Sequence, residues 1–86
     1  MASYKVAFKS SIEKDLKKID RQQIPRIISA VESLTQNPFP PSSKRLVGSD
    51  QTYRLRIGDY RVIYTVSKKM REIEIQRIRH RKEVYR

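Results

Sequence analysis

The sequence contains no cysteine and no tryptophan, and it has a single histidine. Without cysteine, disulfide frameworks, zinc–thiolate sites and cysteine nucleophiles are excluded. One histidine does not provide the usual ligand set of a structural metal site, so we expect no metal and no other cofactor. Apolar runs stay far below the roughly 20 residues of a membrane span, and no secretory pattern opens the chain. We therefore expect a cytoplasmic protein that has no membrane partner.

Basic side chains are abundant, with 20 Lys and Arg against 9 Asp and Glu, a formal net charge of +11. The excess is uneven, because residues 1–43 carry seven basic and four acidic side chains, whereas residues 44–86 carry thirteen and five. Such an excess predicts attraction to polyanions, namely nucleic acid, acidic protein segments or anionic lipid surfaces. Arginine dominates the second half, and its planar fork of donors suits phosphate.

Hydrophobic periodicity predicts one small α+β domain over residues 1–86, in the order β-α-α-β-β-β(-β). We expect two helices packed on one face of a twisted antiparallel sheet. The first helix is predicted over 11–19, and the second opens at Asp20 and ends before the proline-rich stretch 37–43. Strands are predicted at 4–8, 44–47, 53–57, 60–66 and 71–79.

Local signals predict the starts of both helices. Ser10 and Glu13 match a capping box for the first helix, and Asp20 is the expected N-cap of the second. Pro25 falls about one residue late for a helix that starts after Asp20, which favours a true start nearer Ile24.

A two-residue turn at Gly58 and Asp59 predicts a type II′ hairpin. That turn sets the register, so that Arg56 lies directly opposite Arg61, and Arg54 shares their face of the sheet. Directly opposed like charges destabilise a sheet, by up to about 1 kcal/mol. The simplest reason for such a placement is an anion that bridges the arginines, although three solvated arginines on an exposed face remain the alternative.

The C-terminal tail adds further basic residues. Its apolar residues do not all fall on one face of the strand, as regular alternation would require. Ile73 and Ile75 share a face, while Ile78 lies on the opposite one. A β-bulge or an early strand end near Arg77 would reconcile this pattern.

Two segments, residues 53–64 and residues 79–85, resemble the RelE branch of the RelE/ParE toxin superfamily. The resemblance implies a toxin of a type II toxin–antitoxin pair. It further implies a metal-independent endoribonuclease that cuts mRNA in the ribosomal A site and inhibits translation. The implied partners are the ribosome, mRNA and an acidic, RelB-like cognate antitoxin.

The resemblance also implies a set of site residues. The catalytic candidates share a position near the scissile phosphate, and they are Arg56, Arg61, Arg79 and Tyr85. Among these, Arg61 is expected to bind that phosphate, Arg79 to stabilise the transition state or leaving group, and Tyr85 to act as base and stacking platform. The RNA-binding candidates are Arg54, His80, Arg81 and Lys82.

Two other functions remain open from the sequence. One is a ParE-like inhibitor of DNA gyrase without nuclease activity, and the other is an inactive RNA-binding module. His80 also has two interpretations, either as an acid/base partner of Tyr85 or as a residue of a surface turn.

Overall fold

A computed structural model describes residues 3–84, with side chains described as far as residue 82. The described elements follow one another as β1 (Lys5–Phe8), α1 (Ile12–Lys17), α2 (Ile24–Ser33), β2 (Ser43–Arg45), β3 (Thr52–Ile57), β4 (Tyr60–Ser67), β5 (Glu72–His80) and α3 (Arg81–Val84). A 3-10 turn at Arg21–Gln23 joins α1 to α2. Within residues 3–84, no helix is long and apolar enough to cross a membrane.

The strands form one sheet in the order β1-β5-β4-β3-β2. The hairpin neighbours are antiparallel, as expected, but β1 pairs with β5 in parallel, so the sheet is mixed. An antiparallel sheet was expected because short turns join the later strands. The long connection from β1 to β5 imposes no such direction, and a crossover of this length permits parallel pairing. The predicted α+β fold of two helices on a sheet is confirmed.

The hydrophobic core lies between the sheet and the helices. Both α1 and α2 bury an apolar stripe, and β3, β4 and β5 bury alternate side chains beneath it. The core residues with at most 1% exposure are Ile27, Val31, Leu34, Val62, Tyr64, Ile73, Ile75 and Ile78. Burying one such aliphatic side chain contributes about 1.5–3 kcal/mol to the free energy of unfolding. This buried layer therefore fixes the position of the sheet's other face. We call that other face, which is turned away from the core, the outer face.

The helix starts differ in part from the predictions. The expected capping box at Ser10 and Glu13 is not formed, because Ser11 occupies the N-cap position of α1 and makes no capping bond with its side chain. Asp20 caps the 3-10 turn instead of α2, and its Oδ1 accepts the N–H of Gln22 at 3.0 Å. The start of α2 near Ile24, with Pro25 in the first turn, is confirmed.

A bulge in β5 restores the burial of its apolar residues. Ile63 pairs with Arg77 while the next residue, Tyr64, pairs with Ile75, so Gln76 is the extra residue. The Gln76 side chain bonds Glu74 and Thr65. The predicted irregularity near Arg77 is therefore confirmed. The extra residue shifts the alternation of side chains by one position. Ile78 is therefore buried like the isoleucines before it, and the arginines on either side of Ile78 face outward.

Tyr64 connects the core to the proline-rich loop. Its ring is fully buried, and its hydroxyl donates a hydrogen bond of 2.7 Å to the carbonyl of Pro38. Burial raises the pKa of Tyr64 above its usual value of 10.0, while the hydroxyl of Ser43 opposes that shift. The phenol therefore remains a protonated donor at neutral pH.

Replacing Tyr64 with phenylalanine should lower the free energy of unfolding by about 1–3 kcal/mol, because the buried Pro38 carbonyl loses its donor. Urea denaturation checks this value. The matched control is Tyr53→Phe, at a half-buried ring stacked 5.8 Å from Tyr64, and it should change stability much less.

The wild-type protein should also lose stability above a pH of about 10, because tyrosine in the unfolded chain ionises there before the buried Tyr64 does. Tyr64→Phe should remove that component, and an unchanged alkaline profile would contradict it.

Candidate nucleic-acid interface

The β3–β4 hairpin has the register that its turn predicts. Arg56 pairs with Arg61, and Ile57 pairs with Tyr60 on either side of the two-residue turn. Gly58 has a φ of +56°, as the first central position of a type II′ turn requires. The side chain of Arg26 from α2 packs against this glycine, with Nη1 only 3.1 Å from where a Cβ would lie. The turn is thus braced by the helical layer.

Three arginines form one row across three neighbouring strands of the outer face. Arg61 in β4 pairs with Arg56 in β3 on one side and with Arg79 in β5 on the other. We call this set the arginine row. The structure therefore brings together the predicted catalytic arginines, and the β5 bulge is what turns Arg79 to this face.

Arg61 is the most buried member of the row. It is only 5% exposed, and its Nη1 donates to the carbonyls of Gly58 and Tyr60, both at 2.9 Å. A guanidinium carries five N–H donors, so these bonds at Nη1 leave Nη2 and Nε for other acceptors. The turn thereby fixes both the position and the orientation of a buried cation.

A cavity of about 150 Å³ opens beside Arg61 on the outer face. Its lining is almost entirely cationic and consists of Ser42, Lys44, Arg54, Arg56 and Arg61. Sequence reasoning found the three arginines but missed Lys44 and Ser42. Lys44 shares this face because β2 pairs with β3 so that Lys44 lies opposite Arg54, and the sequence contains no turn that would have fixed that register.

The predicted RNA-binding residues of the tail lie in different places. His80 pairs with Tyr60, on the face opposite to the arginine row, and its ring contacts the Tyr60 ring edge-on at 5.5 Å between centroids. Arg81 begins α3 and is held at the hairpin turn, where its N–H donates to the Asp59 carbonyl at 2.7 Å and its Nε lies 3.6 Å from Oδ1 of Asp59. Lys82 is exposed, and its N–H donates to Nδ1 of His80 at 3.3 Å. Tyr85 lies outside the described residues.

His80 instead lines a second cavity of about 280 Å³, on the helix side of the hairpin turn. The other lining residues are Asp20, Gln23, Arg26, Gly58, Asp59 and Tyr60. The structure thus separates His80 from Arg56, Arg61 and Arg79, although all of them lie at the same end of the sheet.

The outer face offers fixed positive charge. Among the described residues, no group of three or more His, Cys, Asp or Glu side chains could hold a metal ion. Opposed guanidinium groups that repel each other are stabilised when a phosphate lies between them and accepts hydrogen bonds from both. The geometry therefore suits binding of an anion of phosphate size.

Comparisons with known proteins agree with this architecture. The family model described as ParE toxin of type II toxin-antitoxin system, parDE, matches residues 6–85. A protein of Methanocaldococcus jannaschii that bears the toxin name RelE1 is 36% identical, over 96% of both chains. The toxin in an archaeal RelE–RelB complex from Pyrococcus horikoshii OT3 superposes with a TM-score of 0.81 at 30% identity, covering 92% of this chain and 96% of the other. A RelB–RelE complex from Methanococcus jannaschii gives 0.75 at 27%, covering 91% and 93%.

Fold and full-length matches together define a small toxin of the type II toxin–antitoxin class. The chain belongs to the ParE toxin family, within the RelE/ParE superfamily, and the relatives it matches are RelE-like. The resemblance seen in residues 53–64 and 79–85 is thereby confirmed at the level of the superfamily.

Replacing Gly58 with alanine should lower the free energy of unfolding by about 1–2 kcal/mol, because an L residue at positive φ is strained. Thermal or urea unfolding measures the loss. The matched control is Gly58→Asn, since asparagine tolerates positive φ better and also carries a Cβ near Arg26. Asparagine should therefore cost less than alanine. Equal losses would show that the contact with Arg26, rather than the backbone, makes glycine necessary.

Proposed function

We propose that this toxin is a metal-independent endoribonuclease that cleaves mRNA in the ribosomal A site and thereby inhibits translation. The observation that carries the proposal is the arginine row, in which Arg56, Arg61 and Arg79 lie side by side on adjacent strands. The cationic cavity beside the arginine row supports the same proposed function. The names of the RelE-like relatives agree with it.

The arginines suit stabilisation of negative charge. Cleavage at a 2′-OH passes through a phosphorane whose added charge must be neutralised. Arg61 is the proposed ligand of the scissile phosphate, because its guanidinium is already fixed by the turn carbonyls. Arg56 and Arg79 flank it from the two neighbouring strands. A site ordered before substrate binds loses little entropy when the charge develops.

Proton transfer requires other groups. Arginine is a poor acid or base, because its pKa lies far above neutral pH. The only histidine in the sequence, His80, lies on the other face of the sheet. Tyr85, which lies outside the described residues, is the proposed base, the role that the resemblance to RelE-like toxins implies for it. A site without an ordinary acid–base pair fits a substrate that the ribosome orients, since positioning alone supplies about 7–11 kcal/mol.

Cleavage of mRNA on programmed ribosomes, mapped by primer extension, should fall about 10²–10³-fold in Arg56→Ala and Arg61→Ala, because each removes one donor to the transition state. Tyr85→Phe should also weaken the cuts. Arg45→Ala is the matched control. It removes an exposed arginine of β2. This residue pairs with Tyr53, so its strand position alternates to the face opposite the arginine row. Thermal melting of Arg61→Ala separates lost chemistry from lost folding, since this side chain is buried.

Intact mRNA on ribosomes treated with the wild-type toxin would contradict the proposal. The family model itself is named for ParE, so a DNA supercoiling assay with gyrase is the appropriate second measurement. Inhibition of supercoiling would favour a ParE-like gyrase poison. Salt-sensitive RNA binding, with neither cleavage nor growth arrest, would favour an inactive RNA-binding module.

A RelB-like acidic antitoxin is the proposed protein partner, and the cytoplasm is the proposed location of both proteins. Two solved relatives are RelE–RelB complexes, and the net charge of +11 favours an acidic chain. Co-expression of a candidate acidic antitoxin, sought in the adjacent reading frames, should abolish growth arrest, whereas a version with its acidic residues changed to Asn and Gln should protect less. Undiminished arrest with the intact acidic protein would contradict this pairing.

A further inference from the structure

One buried carboxylate has no part in the proposed chemistry and yet lies next to it. Asp15 in the middle of α1 is only 6% exposed. Burial of a charged side chain is costly unless the charge is paired and hydrogen-bonded. The surroundings of Asp15 therefore indicate what compensates for that cost.

The first partner of Asp15 is the backbone of β5. Strand β1 ends at Phe8, and the next residue still bonds β5 through its N–H to the carbonyl of Ile75. Beyond that point α1, not β1, lies along this edge of β5. There Oδ2 of Asp15 accepts the N–H of Ile78 at 2.9 Å. The carboxylate thus takes the place of a neighbouring strand as the acceptor for one backbone N–H of β5.

The other partners are two outward-facing arginines of β5. Nε of Arg77 lies 3.7 Å from Oδ2 of Asp15, and Nε of Arg79 lies 3.9 Å from Oδ1. Each oxygen of the carboxylate therefore attracts one guanidinium, while the Ile78 N–H between them fixes where the carboxylate lies. Because Asp15 is buried, solvent and salt screen these attractions less than they screen a surface pair.

We propose that Asp15 is a positioning residue, which orients the guanidinium of Arg79 for the phosphate at the arginine row. This inference rests on the proposed nuclease function. Attraction at Nε restricts rotation of the last bonds of a long side chain. The entropic cost of fixing the Arg79 side chain is then incurred when the protein folds, and not when the reaction takes place. Through Asp15, helix α1 contributes to a site whose three arginines lie on the sheet.

A purely structural role for Asp15 makes a different prediction, and Asp15→Asn separates the two. The amide oxygen of asparagine can still accept the Ile78 N–H, so the bond to the edge of β5 is retained. The negative charge that attracts Arg77 and Arg79 is lost. Glu13→Gln is the matched control, because it neutralises an exposed acid of the same helix and changes the net charge equally.

On programmed ribosomes, Asp15→Asn should lower kcat about 10-fold and leave KM unchanged or lower, because losing an acidic charge strengthens attraction to RNA while Arg79 becomes less ordered. Glu13→Gln should retain the wild-type kcat. A structural role would reduce the melting temperature without this split between kcat and KM. A wild-type kcat for Asp15→Asn would overturn the proposal.

A second measurement does not depend on activity. The {¹H}–¹⁵N heteronuclear NOE of the Arg79 Nε–H group should be as high in the wild-type protein as that of the β5 backbone. It should fall in Asp15→Asn but not in Glu13→Gln. A low value in the wild-type protein would overturn the inference without any variant. If wild-type toxin cleaves no mRNA, the proposed function fails, and this NOE still decides whether Asp15 orders Arg79.

Discussion

The strand register that places arginines opposite one another is the constraint around which this small protein is organised. Arg56 and Arg61 lie directly opposite each other, and Arg79 continues the row on the next strand. The register is imposed from the other face, where Leu55 and Val62 pack into the core, and from the turn that Arg26 braces. The stability of the buried layer thus maintains a charged layer that would otherwise rearrange.

The hairpin was the most predictable part of the molecule. A two-residue turn led by glycine permits few registers, and a one-residue slip would turn the buried apolar side chains of β3 and β4 away from the core. The bulge near Arg77 was also predictable, because Ile78 could be buried with Ile73 and Ile75 only if parity changed between them. These features follow from local geometry combined with a clear alternation of apolar residues.

Features that depend on contacts between distant segments could not be predicted. The parallel pairing of β1 with β5 joins the two ends of the described chain, and no turn limits its direction. The capping box failed because α1 starts after Ser11, whose side chain makes no capping bond. Lys44 and Asp15 were missed because of such distant contacts. Each resembles an ordinary surface charge until the strand or helix that carries it is placed beside the arginines.

The bulged residue has a consequence for how related chains are compared. Gln76 shifts the phase of β5 by one residue, and the last part of the strand therefore presents Arg77 and Arg79 outward. A homologue lacking this single residue would turn the same two positions toward the hydrophobic layer, even with every arginine retained. Alignments that place a gap on the wrong side of Gln76 would consequently equate an exposed cation in one toxin with a core position in another. Equivalence along β5 has to be judged by side-chain direction, and matching letters are insufficient.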